Sequence, residues 1–318
     1  MFIENRNIEY INDIPIHIEF GSIRHCRPHY HISDLEIVYC LEGQADIISG
    51  FEKVTLRQGE FFTSNCGEVH YIHSDADNIL MTVHINLQNL PADWDFLKHI
   101  IFVLENLDDI TRNAYMLDEI TDMIIAAALL FTETGCGEKL RSIAETITDI
   151  LCSHFSYIDY INEYKPVSDS VKQIYFSFSE YIYNNYNSKI SISDFAGSNY
   201  MDKSHLSYLL KNSIHKTFSD SLSYVRCNHA ELLLLATNKP NDEISQLCGF
   251  SDVKYFYAKF REWYGKTPAV HRREFEGYMS EPEKLTVISP GEMKGFMQKY
   301  FCEYHKNKTL SKCTKRES

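Results

Sequence analysis

The chain has 318 residues, 44% of them hydrophobic, 24% charged and 13% aromatic, with a formal net charge of −13. That length allows about two domains of ordinary size, and the composition excludes a disordered chain. The most apolar run, Met123 to Phe131, is far short of the ~18 residues that a membrane helix needs, so no membrane partner is expected.

The opening MFIENRNIEY lacks the basic and apolar regions of a secretory signal, and the nine cysteines show no regular pairing. Both point to a cytoplasmic protein with reduced thiols. The acidic total hides a division. Residues 1–167 hold 10 Lys and Arg against 27 Asp and Glu, whereas residues 203–273 hold 11 against 6. An acidic front and a locally basic rear imply two domains with different partners, the rear one able to sit on a phosphate backbone.

From Ile16 to Leu87 short alternating runs are broken by turn residues, as in Glu36-Ile37-Val38-Tyr39-Cys40-Leu41 before Glu42-Gly43 and Glu60-Phe61-Phe62-Thr63 after Gln58-Gly59. Strands at that spacing indicate a β-sandwich or barrel. His29 and His31, two residues apart on a strand, point to one face. With Glu36 and His70 they make a set of imidazoles and a carboxylate suited to Zn, Mn, Fe or Ni. The run His29-Tyr30-His31, Glu36, Gly43, then Gly59, Asn65, Gly67 and His70, resembles the two cupin motifs, with Asn65 at a usual Pro and Ser74 at a usual Asn. The resemblance implies that His29, His31, Glu36 and His70 line the mouth of the barrel. A divalent metal, a sugar or other small polar effector, and a surface His pair with no ligand all remain open. His25, His73 and His84 fit no spacing and read as structural.

After Pro91 the period changes. Trp94, Leu97, Ile101 and Leu104 recur at helical spacing, as do Leu117, Ile120, Ile124 and Ala127/Ala128. Gly135-Cys136-Gly137 separates these from a helix carrying Leu140, Ile143, Ile147 and Leu151. Such stripes either cover one sheet or form a homodimer seam.

From Asp202 the chain repeats itself at an offset of 50: Asp202, Leu206, Leu210, Lys211, Lys216 and Thr217 recur as Asp252, Phe256, Phe260, Arg261, Lys266 and Thr267. Each copy starts with an Asp suited to an N-cap and follows a short candidate helix, at Ser191–Ala196 and Asn241–Leu247. Short helix, tight turn and second helix is the helix-turn-helix pattern, with Gly249 ending the first helix of the second copy. Asp220 to Ala236 reads as one connecting helix whose buried side is Leu222, Val225, Leu232, Leu233 and Ala236.

Residues 185–276 resemble the DNA-binding domain of AraC-type transcription regulators, through Gly249-Phe250-Ser251-Asp252, Tyr255-Phe256, Phe260-Arg261, Tyr264-Gly265-Lys266-Thr267-Pro268, Arg272-Arg273, Arg226 and Ala230. A cupin-like sensor is the usual front domain of that family. Departures are His215 at a usual Gly, Asn199 and Asn241 at apolar positions and Ser221 at an aromatic one.

The expected architecture is α+β and multidomain. A cupin-like β-barrel occupies 1–90, accessory helices with a candidate dimerisation region 91–165, and an all-α domain with two helix-turn-helix motifs 168–276. A tail of no assigned role occupies 277–318. Helix geometry turns Lys203, Ser204, Ser207, Tyr208, Val253, Lys254 and Tyr257 toward base edges, and Lys211, Lys216, Lys259, Arg261 and Lys266 toward phosphates. The leading function is a sequence-specific regulator, not an enzyme, that responds to a small-molecule effector and binds double-stranded DNA as a homodimer, with RNA polymerase a further partner. The alternative is a metal-dependent cupin enzyme or a metal sensor with an appended DNA-binding module.

Overall fold

The computed structural model describes residues 3–49, 52–91, 97, 99–100, 102, 114–133, 137–155, 168–211 and 217–314. The front of the chain forms eight strands: β1 Glu4–Asn5, β2 Ile16–Tyr30, β3 Asp34–Glu42, β4 Gln44–Ser49, β5 Glu52–Arg57, β6 Phe61–Ser64, β7 His70–His73 and β8 Ile79–Asn86. Seven of them join in the order β5-β4-β7-β2-β8-β3-β6, and β1 pairs parallel with β2 off that path. The long β2 is the spine, antiparallel to β8 through its first half and to β7 through its second, with a register shift between Cys26 and His29.

Parity on β3 explains both the core and the site. Successive side chains point to opposite faces. Leu35, Ile37, Tyr39 and Leu41 therefore pack under helices α1 (Ala114–Phe131) and α2 (Gly137–His154), against Ile120, Ile124, Ala128, Ile147 and Leu151. Val38 and Cys40 turn the other way, into a second core with Ile47, Leu56, Ile72 and Leu80. Both faces of the strand are buried, which is why β3 reads as an almost continuous apolar run. Glu36 belongs to the inward set. The expected helical stripes of α1 and α2 are thus a cover for the sheet. Trp94, Ile101, Leu104, Gly135 and Cys136 lie outside the described residues.

The rear domain contains α3 (Asp169–Asn185), α4 (Ile192–Ser198), α5 (Lys203–Leu210), α6 (Phe218–Ala236), α7 (Asn241–Leu247), α8 (Val253–Tyr264) and α9 (Pro268–Ser280). One core gathers Tyr175, Phe178, Ile182, Phe195, Leu206, Leu210 and Val225, and a second gathers Cys227, Leu234, Ile244, Phe250, Phe256, Phe260 and Tyr264. The connecting helix α6 has 19 residues, about 28 Å at 1.5 Å each, and serves both cores. Its buried side differs from the expected one. Leu234 and Leu235 are buried with Leu222, Val225, Cys227 and Ala230, while Leu232, Leu233 and Ala236 are only half-buried. The steps of four from Leu222 through Arg226 and Ala230 to Leu234, with Cys227 three residues before Ala230, set that face, and a run of four leucines concealed it.

The tail, which sequence left without a role, adds a strand and a helix to the front domain. Strand β9 (Lys284–Ile288) returns to the front sheet and pairs antiparallel with β2 at Phe20 to Ile23. Helix α10 (Pro290–Thr314) then packs on the barrel helices, with Met293 and Met297 in their core and Lys308 Nζ 2.7 Å from Asp122 Oδ1 on α1.

Candidate functional site

The sequence set His29, His31, Glu36 and His70 comes together inside the barrel, all four ligand atoms lying within 4.8 Å of one another. The four side chains are buried, at 1–4% exposure. Each of the three imidazoles is held from behind, its Nδ1–H donating to a backbone carbonyl: His29 to Arg27 O at 2.8 Å, His31 to Arg6 O at 2.7 Å and His70 to Glu68 O at 3.0 Å. That tautomer leaves each Nε2 as a lone pair aimed into the centre, the arrangement by which outer partners orient metal-bound histidines.

The three Nε2 atoms stand 3.9, 2.8 and 3.3 Å from Glu36 Oε2. The Nε2 atoms of His31 and His70 nevertheless make no aligned hydrogen bond. Lone pairs facing a carboxylate repel unless a positive charge lies between them. Two ligand atoms bound at about 2.1 Å and at right angles to one ion stand ~3 Å apart, so the donor set fits a divalent first-row cation. Without one, a proton must serve. Burial disfavours the charged form of Glu36, but its histidine neighbours outweigh this and hold the carboxyl well below its usual range. Burial likewise opposes charge on His70, and Glu36 overcomes it to raise His70. Burial, helped by neighbouring His70, lowers His29 to about 3.

One member escaped the sequence reading. His84 was expected to be structural, yet its Nδ1 lies 3.7 Å from Glu36 Oε2, is buried, and makes no hydrogen bond. His84 and Glu36 are register partners on β8 and β3, and Leu80, Thr82 and His84 face inward by parity. Strand pairing, which motif spacing does not contain, was the signal. His25 and His73 stay outside the set: their rings meet edge to face at 6.3 Å, and His73 faces Asp75. The two motif departures are absorbed locally. Asn65 bonds the backbone of Phe102 in both directions, and Ser74 Oγ donates to Gln44 O. The cavity measures about 90 Å³, and besides His29, His31, Glu36 and His84 it is lined by Arg6, Glu19, Thr82 and the apolar Phe20, Ile72 and Leu80.

In the rear domain each second helix of the pair opens with the expected cap. Asp202 Oδ1 accepts from Ser204 N at 2.8 Å and His205 N at 3.0 Å, and Asp252 Oδ1 accepts from Tyr255 N at 2.8 Å. Of the base-edge set, Lys203, Ser204, Tyr208 and Lys254 are exposed, and Ser207, Val253 and Tyr257 are half-buried. Tyr257 OH also accepts from Asn241 Nδ2 at 2.6 Å, locking α7 against α8, which gives the unexpected polar residue at 241 a use. Asn199 likewise caps α4, its Nδ2 donating to Phe195 O at 2.9 Å, and Ser221 Oγ donates to Thr217 O.

Of the phosphate set, Lys211 and Arg261 are exposed, and Lys216, like His215, lies outside the described residues. Lys259 is already engaged within the protein, its Nζ 3.2 Å from Asp220 Oδ1 and 3.0 Å from Glu262 Oε2. Lys266 Nζ sits 2.5 Å from Glu274. Either lysine would have to leave a carboxylate to reach DNA.

Two arginines repeat along with the helices. Arg226 donates to Tyr186 O and Ser188 O beyond the end of α3, and Arg272 donates to Leu234 O and Lys239 O around the end of α6. A cation on the unpaired carbonyls at a helix C-terminus satisfies acceptors and complements the dipole. Each helix-turn-helix unit is therefore tied to the helix before it by one guanidinium.

Comparison with known proteins agrees with this division. A cupin domain model matches residues 18–86 and a helix-turn-helix domain model matches residues 196–274. The chain is 29% identical over 152 residues to the transcriptional activator PerA of Escherichia coli O127:H6, covering 44% of this chain and 55% of that one. It is 26% identical over 140 residues to the Msm operon regulatory protein of Streptococcus mutans, covering 44% and 47%. The chain thus spans about half the length of these two relatives. It is also 22% identical over 254 residues to the HTH-type transcriptional regulator YfiF of Bacillus subtilis, covering 77% and 78%. Among solved structures, fatty-acid-bound ToxT of Vibrio cholerae overlaps 84% of this chain and 97% of its own at 13% identity, with a TM-score of 0.41. A cupin domain model and a helix-turn-helix domain model thus match in that order along the chain, and the relatives it resembles are named as transcription regulators.

Proposed function

We propose that this chain is a cytoplasmic, sequence-specific DNA-binding regulator whose barrel takes its effector at the histidine–glutamate cluster. The observation that carries the DNA half is the twofold construction of the rear domain. Two Asp-capped helices, α5 and α8, each present an exposed lysine in the first turn, Lys203 and Lys254, beside hydroxyl-bearing side chains. Lysine at such a position can donate to guanine O6 and N7, and the later Lys211 and Arg261 can meet phosphates. A homodimer and RNA polymerase complete the partner set implied by this reading.

The test is selection of duplexes from a random pool by the full chain, followed by titration of the selected duplex at rising salt. Affinity should fall steeply with salt through counterion release. Lys254→Ala should relax preference at one base pair by about 1–3 kcal/mol. Salt-insensitive binding, or an unchanged selected sequence, refutes the assignment.

For the effector, three imidazoles and a carboxylate whose ligand atoms converge within 4.8 Å favour a divalent first-row cation over a sugar, because that donor set matches such a cation's coordination. The role is sensing rather than turnover. A bound cation would neutralise Glu36 and link β2, β3 and β7, and in that way change what the barrel presents to the rear domain. Metal analysis of the purified chain should find one equivalent, lost in His31→Ala, and binding to the selected duplex should depend on it. Full metal content in His31→Ala would remove that residue from the site.

A further inference from the structure

The tail that the family pattern does not account for lies across the cluster's cavity. Leu285, Thr286 and Val287 of β9 line the same cavity as His29, His31, Glu36 and His84. The strand seats closely because residue 21 is glycine: a Cβ there would stand 3.0 Å from Thr286 O. Residues 281–283 alone separate β9 from α9, and this short link is fastened to the barrel. Glu283 pairs with Arg6 and accepts from Arg27 N at 3.3 Å, while Arg27 Nε donates to Glu281 O at 2.9 Å.

Just upstream, the second helix-turn-helix unit is docked by the same stretch. Tyr71 of β7 packs on Tyr278 and Phe275 of α9 at ring separations of 4.3 and 6.2 Å. Leu235 and Met279 join Ile3 and Val69 in one buried cluster. Arg6 belongs to both ends, its guanidinium on Glu283 and its carbonyl accepting from His31 Nδ1.

We propose that residues 281–288 are a strap that closes the effector cavity and docks the second helix-turn-helix unit with one and the same set of contacts. The inference rests on the cluster being the effector site. The ligand atoms are buried, so a ligand reaches them only when part of the wall moves. β9 is a short part of that wall, five residues that among the described residues pair with β2 alone, with Lys284 to Val287 exposed. Short, exposed, singly paired segments open at the lowest free energy. Three residues of slack cannot absorb the departure of β9, so opening pulls on α9 and loosens the docked unit. By linkage, any partner that favours the undocked unit then favours an open cavity to the same degree.

The test uses the full chain with a reversible lock. Ser22 and Thr286 are register partners, and neither belongs to the histidine–glutamate cluster, so Ser22→Cys with Thr286→Cys pins the strap when oxidised. A second variant, Glu283→Ala, removes the clasp at a partly exposed position. Two quantities are read: the rate of cobalt(II) uptake by absorbance, and amide hydrogen exchange across β9 and α9. Uptake should slow at least tenfold in the oxidised lock and recover on reduction. Glu283→Ala should speed uptake severalfold and raise exchange in β9 and α9 together. Equal uptake in the oxidised and reduced lock overturns the gate, and faster exchange confined to β9 overturns the coupling. If the wild-type chain takes up no cobalt(II), the cation reading of the cluster fails. The exchange arm then decides the strap by itself, joint acceleration supporting it and acceleration of β9 alone refuting it.

Discussion

The two helix-turn-helix units follow the same chain path with different chemistry. The second turns at Gly249, whose φ is +75°, and ends its recognition helix at Gly265 with φ +67°. Its core is aromatic: Phe256, Phe260 and Tyr264 are buried, the last two rings stacked at 4.4 Å. Beneath them a buried polar knot closes, Glu231 accepting from Tyr264 OH and facing His271 Nε2, each at 2.7 Å. The first unit turns through Tyr200 at φ +53°, a fully exposed tyrosine in a conformation that favours glycine. Its recognition helix has eight residues against twelve, and its core uses Leu206, Leu209 and Leu210. The second unit is also the one docked on the barrel, through Leu235, Phe275 and Met279. The more rigidly built unit is thus the one through which a signal from the barrel would pass, because only a stiff body transmits a displacement applied at its edge.

The largest expected effect that sharpens this contrast is in the cores. Phe256→Ala should cost about 3–5 kcal/mol and Leu206→Ala about 2–5 kcal/mol, from lost burial plus cavity. Urea unfolding in a Trp94→Phe background, followed by the fluorescence of Trp263, which packs against the second unit's core, should report the first loss more strongly than the second. Equal responses would mean that the two units unfold as one body. A smaller effect is expected at the turn. A Cβ at Gly249 would lie 2.8 Å from the backbone of Asn187 in a left-handed conformation, so Gly249→Ala should cost about 2 kcal/mol or more. A midpoint unchanged in that variant would deny that the turn is tight. The smallest is Tyr200→Gly, which relieves the left-handed penalty but frees the unfolded chain. It should leave the first unit between unchanged and about 1 kcal/mol more stable, read as slower amide exchange in α5.

Much of this was visible in residue order because the signals are local. Asp202 and Asp252 announce helix starts through hydrogen bonds to their own next few residues, and Gly249 announces a turn through its own φ. His29 and His31 share a face by strand parity alone. What went unread depends on pairing between distant segments. His84 enters the cluster only because β8 registers it opposite Glu36. Lys259 looked like a free phosphate contact until α6 brought Asp220 beside it. The four-leucine run of α6 hid which leucines face inward, since two cores compete for that helix.

Sequence by itself determined the two kinds of domain, the repeat in the second and the capped helices that would meet DNA. All of these rest on interactions a few residues long, and periodicity records them. Only the tertiary structure decided that the tail belongs to the barrel, with β9 in its sheet and α10 on its helices. A short strand of five residues has no preferred partner until an open sheet edge is offered to it. Which edge is free is a property of the assembled barrel and is written in no single segment of the chain.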